Sequence, residues 1–105
     1  MKIFHVMEDV ELFDQNNNKI LLKYYLLKEK GRNHKNYYGI RVEKCHVAED
    51  GQYHVVENET LSGISGSKDF IMEALEKLQS HQVTPMCVGE IVDDMITMES
   101  MKLHD

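Results

Sequence analysis

The side chains of this 105-residue sequence with chemistry to offer are six histidines, two cysteines, five tyrosines and one serine-glycine stretch. Cys45 and His46 face His54 across a predicted hairpin, a spacing that invites a metal. Adjacent strand residues point to opposite faces, however, and no close-spaced Cys/His repeat supports a zinc site. They read as ordinary strand residues, with no metal expected. Ser62-Gly63-Ile64-Ser65-Gly66-Ser67-Lys68 invites a phosphate, because glycines let backbone N–H groups approach an anion at a helix start. Its spacing departs from the phosphate-loop pattern, and Asp69 stands where Ser or Thr belongs. It reads as a flexible connection ending in a serine cap. Cys87 falls in the first turn of a predicted helix, where the dipole could lower a thiol pKa, but no histidine can be assigned to it. Asp93 and Asp94 fall on that helix's polar side. No catalytic residue and no cofactor is expected, and an enzyme is the less favoured class.

A different chemistry is stacking and contact. Tyr24, Tyr25, Tyr37, Tyr38 and Tyr53 all fall in predicted strands, and residues 19–47 hold eight Lys/Arg against two acids. Rings interleaved with cations suit single-stranded nucleic acid. Tyrosine is also a favoured strand residue, and a covered sheet would leave only Tyr25 and Tyr37 open beside Arg41. Methionines crowd the helical half; Met86, Met98 and Met101 lie off the main apolar stripe or near the end of the chain. Met serves as loose core filler and also on adaptable contact surfaces. The candidate interaction surface is therefore Tyr25, Tyr37, Arg41, Met86, Met98 and Met101.

The elements that must position these residues follow from periodicity. From Lys2 to Phe13 the apolar positions Phe4, Val6, Val10 and Leu12 alternate with polar ones, broken at Glu8, as in a strand with one buried face. Asp14-Gln15-Asn16-Asn17-Asn18 is a turn cluster. Ile20, Leu22, Tyr24 and Leu26 continue the even-numbered face, and Tyr38, Ile40 and Val42 carry it on beyond a polar loop at 30–35. Folding about Asn16 sets Val10 opposite Leu22 and Asp9 opposite Lys23. Folding about Arg32 sets Leu26 opposite Tyr38, Leu22 opposite Val42, and Tyr25 over Gly39. A two-residue Asp50-Gly51 turn sets Lys44 opposite Glu57 and Val47 opposite His54. Phe70, Ile71, Ala74, Leu75 and Leu78 share one side of a helix capped by Ser67. Thr84-Pro85 opens a second helix burying Val88, Ile91, Val92 and Met95, with Glu90, Asp93 and Asp94 opposite. A helix-turn-helix reading fails because those acids would meet phosphates.

Bulk properties narrow the class. The length suits one domain, and no apolar run approaches the roughly 20 residues of a spanning helix. The amino-terminal residues 1–9 carry acids and no long apolar stretch, so no secretory signal is expected. Both cysteines read as reduced, buried thiols of a cytoplasmic protein. The net charge of −6 is uneven: residues 1–47 sum to +3 and residues 48–105 to −9. An acidic total disfavours general nucleic-acid binding.

Some stretches look familiar. Lys23-Tyr24-Tyr25-Leu26-Leu27, Tyr38-Gly39-Ile40-Arg41-Val42, Val83-Thr84-Pro85 and Ile91-Val92-Asp93-Asp94 resemble a family of short uncharacterised Gram-positive bacterial proteins, over roughly residues 19–96. The resemblance implies no activity, cofactor or catalytic residue.

The expected fold is α+β: a four-stranded antiparallel β-meander, order 1-2-3-4, followed by two C-terminal α-helices packed on one sheet face. Residues 1–105 form a single domain, with the meander at 1–60, a helical hairpin at 67–98 and a frayed tail at 99–105. The expected function is a non-enzymatic protein-interaction or regulatory domain, with an unknown protein partner or self-association. The alternatives are a ligand pocket between sheet and helices lined by Tyr24, Tyr38 or Tyr53, and single-stranded nucleic-acid binding through the basic sheet.

Overall fold

The computed structural model describes residues 1–102. Strands β1 (Lys2–His5), β2 (Val10–Phe13), β3 (Lys19–Lys30), β4 (Asn36–Val47) and β5 (Tyr53–Ser65) precede helices α1 (Lys68–Ser80) and α2 (Pro85–Lys102). The five strands make one antiparallel sheet in the order β1-β3-β4-β5, with β2 also paired to β3. The α+β meander with two helices on one face is therefore present. The expected first strand is broken in two at Val6–Asp9, which makes five strands of the expected four. Four residues there span the gap that Lys23 and Tyr24 span on β3. The excess is even, so Phe4 and Val10 stay on the same face. The carbonyl of Glu8 turns out to accept a 2.7 Å hydrogen bond from Gln79 of α1.

The helix-covered face is the even-numbered set of β2, β3 and β4. Leu22, Tyr24, Leu26, Ile40 and Val42 pack against Ile71, Ala74, Leu75 and Leu78 of α1 and Val88 and Val92 of α2. Each buried aliphatic or aromatic side chain here contributes roughly 1.5–3 kcal/mol from burial. Tyr24 is fully buried, and its hydroxyl donates to the Val83 carbonyl at 2.9 Å, tying the sheet to the loop between the helices. Ser67 caps α1 by accepting from the Phe70 N–H at 3.2 Å. Pro85 opens α2, where its missing N–H costs nothing.

Three registers differ in detail from expectation. β2 keeps the expected register, with Val10 opposite Leu22, whereas the interruption shifts β1 by two residues, so that Phe4 faces Leu26 rather than Lys28. The β3–β4 hairpin centres on Asn33 rather than Arg32, so Leu26 faces Ile40 and Tyr24 faces Val42. Moving the centre by one residue moves each partner by two, so every side chain keeps its face. Asn33 and His34 take up the turn in left-handed backbone, at φ 65° and 60°. Gly39 consequently faces Leu27, not Tyr25. The ring that covers a glycine is Tyr37, whose edge lies against Gly31.

The β4–β5 turn has three residues, not two. The Ala48 N–H donates to the Gln52 carbonyl, the Gly51 N–H donates to the Ala48 carbonyl, and Gly51 sits at φ 87°. That geometry is a turn followed by a left-handed residue, for which glycine is the natural choice. The extra residue puts Val47 opposite Tyr53 rather than His54. A bulge between Lys44 and Cys45 then restores Lys44 opposite Glu57. Beyond Asn58 the chain does not become a connection. β5 continues to Ser65 through a second irregularity, with Gly63 at φ 61°. Its Leu61 carbonyl passes so close to Gly39 that a Cβ there would collide with it. The expected frayed tail, 99–105, begins inside α2, and its final residues, 103–105 with His104, lie outside the described residues.

Candidate functional site

The face of the sheet away from the helices carries the odd-numbered side chains of β3 and β4, and paired residues across strands share it. One row is His5, Tyr25, Arg41 and Thr60. The next is Lys23, Glu43 and Asn58, with Asp9 in the interruption between β1 and β2. Then come Leu21, Cys45 and Val55, followed by Phe13, Lys19, Val47 and Tyr53.

Lys23 is the organising residue. It is a lysine only 8% exposed, on a face that no helix covers. Its ammonium donates to Asp9 Oδ2 at 2.8 Å and lies 4.6 Å from the centre of the Tyr53 ring. The other oxygen of Asp9 meets His5 Nε2 at 2.8 Å, and the His5 ring tilts against Tyr25. Arg41 is committed in the same way: Nε donates to Glu43 Oε2 at 2.9 Å and Nη1 to Thr60 Oγ1 at 2.7 Å.

These contacts decide the protonation states. Partial burial pushes the Asp9 carboxyl up, but the hydrogen bonds from Lys23 and His5 outweigh it and hold the group below its ordinary value. Burial likewise pushes Lys23 down, and the hydrogen bond and charge of Asp9 outweigh it, raising the ammonium. Burial, helped by the Glu43 carboxylate, pushes Tyr25 up to about 12. The fully buried Cys45 thiol is raised by burial first and by the charge of Glu43 second. Near neutral pH the cluster thus holds a charged ammonium, a neutral phenol and a neutral thiol. None of the three is in the form that attacks an electrophile or abstracts a proton.

What this face leaves unsatisfied is apolar. Phe13 is 63% exposed, Tyr53 53% and Val55 42%. Tyr53 was expected beside the core; the three-residue turn moves it and Val55 to the open side, because one residue of slip reverses every side chain. Of the candidate residues, Tyr25 and Arg41 stand directly opposite each other, both half-buried. Tyr37 lies at the far end of β4 over Gly31. Met86, Met98 and Met101 are exposed on α2, well away from Tyr25 and Arg41 in the chain. Met98 and Met101 share one side of the helix, whereas Met86 lies about 18 Å earlier along its axis. Tyr25 and Arg41 thus lie on the open face, whereas α2, which carries the three methionines, packs over the other face.

Sequence reasoning missed Asp9, Lys23, Glu43 and Tyr53 as members of the site. The signal for the first two was present in the first-hairpin register, which set Asp9 opposite Lys23. His46 and His54 pair across β4 and β5 at 6.0 Å between ring centres, while Cys45 alternates to the other face. Among the described residues no group of three or more His, Cys, Asp or Glu is placed to hold a metal ion. Cys87, expected to be buried, is exposed on the first turn of α2, since that turn overhangs the core with only Pro85 and Val88 inward. Among the described residues no helix is long and apolar enough to cross a membrane. Residues 2–98 match the profile of a family described as a family of unknown function, DUF6514. No curated protein and no solved structure matches the chain.

Proposed function

We propose that this chain, which belongs to the DUF6514 family of unknown function, works as a non-enzymatic protein-interaction or regulatory domain in the cytoplasm of a Gram-positive bacterium. Its partner sits on the open sheet face. One observation carries this reading: the polar groups of that face are paired with one another, and its large apolar groups are not. Lys23 and Arg41 are held by Asp9 and Glu43, so the central cations are not free for phosphates. That weighs against single-stranded nucleic acid, which needs unpaired cations alongside its stacking rings. Phe13, Tyr53 and Val55 remain as apolar anchors grouped at one end of the face, with the paired polar groups at their border, and an apolar centre with a polar rim is the usual anatomy of a contact surface.

A second copy of this chain is a partner that fits as well. β5 ends the sheet, and among the described residues no strand lies beside its outer edge. The two register irregularities blunt that edge but leave Glu57–Leu61 regular between them.

The test is a matched pair of proteins, wild type and Tyr53→Glu with Val55→Glu. Both positions are exposed, so the double variant is expected to fold with an unchanged circular dichroism spectrum. Light scattering coupled to size exclusion reads self-association, and affinity capture from cell extract reads other partners. The reading predicts an assembly or a captured protein that the double variant loses. A wild type that stays monomeric and retains nothing specific overturns it, as does capture that survives both substitutions.

A further inference from the structure

At one end of the sheet the helix-side face holds cations that nothing neutralises. Lys2 of β1 stands directly opposite Lys28 of β3, and Lys30 lies one pleat further along the same face. Lys68 begins α1 above them. Like charges set opposite each other on neighbouring strands destabilise a sheet. Elsewhere the sheet avoids this: Lys19, Lys23 and Arg41 each have an acid within 2.9 Å. Among the described residues none of Lys2, Lys28, Lys30 and Lys68 takes part in an ion pair.

The space between these lysines has a shape. Phe4, Val6, Leu26 and Tyr38 form an apolar recess whose rim is Lys28 and Lys68. A shallow groove along Met1, Lys2, Lys28, Glu29 and Lys30 shares Lys28 with that recess. Of the nearby acids, Glu29 lines the groove, but its carboxylate reaches over Gly63 and makes no ion pair with these lysines, and Asp69 lies in the first turn of α1.

We infer that this groove binds an extended acidic segment of a partner protein, with one apolar side chain seated in the recess and carboxylates along Lys2, Lys28, Lys30 and Lys68. Charge complementarity selects the sign. The run of cations along two strands selects an extended chain over a compact anion, whose charge would meet one or two lysines only. This inference rests on the reading of the chain as an interaction domain, but it uses the opposite face of the sheet.

The test is fluorescence anisotropy on the full chain with a labelled synthetic peptide of alternating Glu and Leu. A control peptide carries Gln for every Glu. Binding is expected for the acidic peptide only, and to weaken as salt rises. Lys28→Gln with Lys30→Gln is expected to weaken it about tenfold or more, because two of four charges are lost. Tyr53→Glu with Val55→Glu is expected to leave it unchanged. Equal binding of the Gln peptide, or indifference to the lysine substitutions, overturns the groove while leaving the open-face reading intact. Tighter binding of a single-stranded RNA of similar length overturns the peptide in favour of a nucleic acid. Self-association that the lysine variant abolishes overturns it in favour of a second copy, seated by the acids Glu90, Asp93 and Asp94 of its α2.

Discussion

Replacing Asp9 by alanine should cost this protein far more than replacing Lys23 by methionine. The two residues form one ion pair at 2.8 Å, with side chains 23% and 10% exposed. Removing the carboxylate leaves an ammonium without its partner in a site that water barely reaches. A fully buried pair broken this way costs about 3–5 kcal/mol; the partial exposure of Asp9 lowers the expectation to about 2 kcal/mol. In a domain of this size that is a fall in Tm of roughly 8–16 °C. Lys23→Met keeps the aliphatic stem over Tyr53 and removes the charge that needed neutralising. Asp9 then retains His5 and some solvent, so the cost should be about 1 kcal/mol or less. The double variant should resemble Lys23→Met alone, a coupling of about 1–2 kcal/mol in a urea-denaturation cycle. The pH dependence has a definite sign. The folded carboxyl titrates below its ordinary value of 3.8, so the unfolded chain binds more protons in that range. The stabilisation is therefore complete above about pH 4 and is lost as pH falls through the depressed folded value. The gap between wild type and Asp9→Ala should narrow only there. Equal losses from the two single changes, adding simply in the double variant, would refute the assignment of Lys23 as a buried charge held by Asp9.

Two further measurements probe the frame that carries the open face. Tyr24→Phe removes a buried 2.9 Å hydrogen bond and orphans the Val83 carbonyl, so urea denaturation should show a loss of about 1–2 kcal/mol; no loss would mean that water already serves that carbonyl. Gly39→Ala should destabilise by about 2 kcal/mol or more, since its Cβ meets the Leu61 backbone. Gly89→Ala should instead stabilise by up to about 1 kcal/mol, because an added Cβ in this second turn of α2 would meet no neighbouring atom within 4 Å beyond the helix's own backbone. The same thermal melts read both glycine variants, and a reversed order would place the β5 irregularity elsewhere.

The interior of this protein is written in its alternation. Leu22, Tyr24, Leu26, Ile40 and Val42 share parity, and the helical stripe of Ile71, Ala74, Leu75 and Leu78 has one side to bury. Any pairing that hides both sets gives this layered arrangement, and so the core survives an error of one residue in the second bend. The N-cap at Ser67 and the start at Pro85 are equally local, since each depends on a few neighbouring backbone groups. The open face is different, because odd-numbered positions of a half-covered sheet carry no common hydropathy. The first-hairpin register already sets Asp9 opposite Lys23, but only the folded sheet buries that lysine and closes the pair to 2.8 Å. Tyr53 looks like a core tyrosine until a three-residue turn puts it on the other side. The cation row at Lys2, Lys28 and Lys30 exists only because β1 pairs with the far end of β3. Insertions and turn lengths of one or two residues change little in composition or periodicity, yet they decide which side chains meet. Tertiary pairing alone therefore settled the site, whereas local pattern was enough for the core.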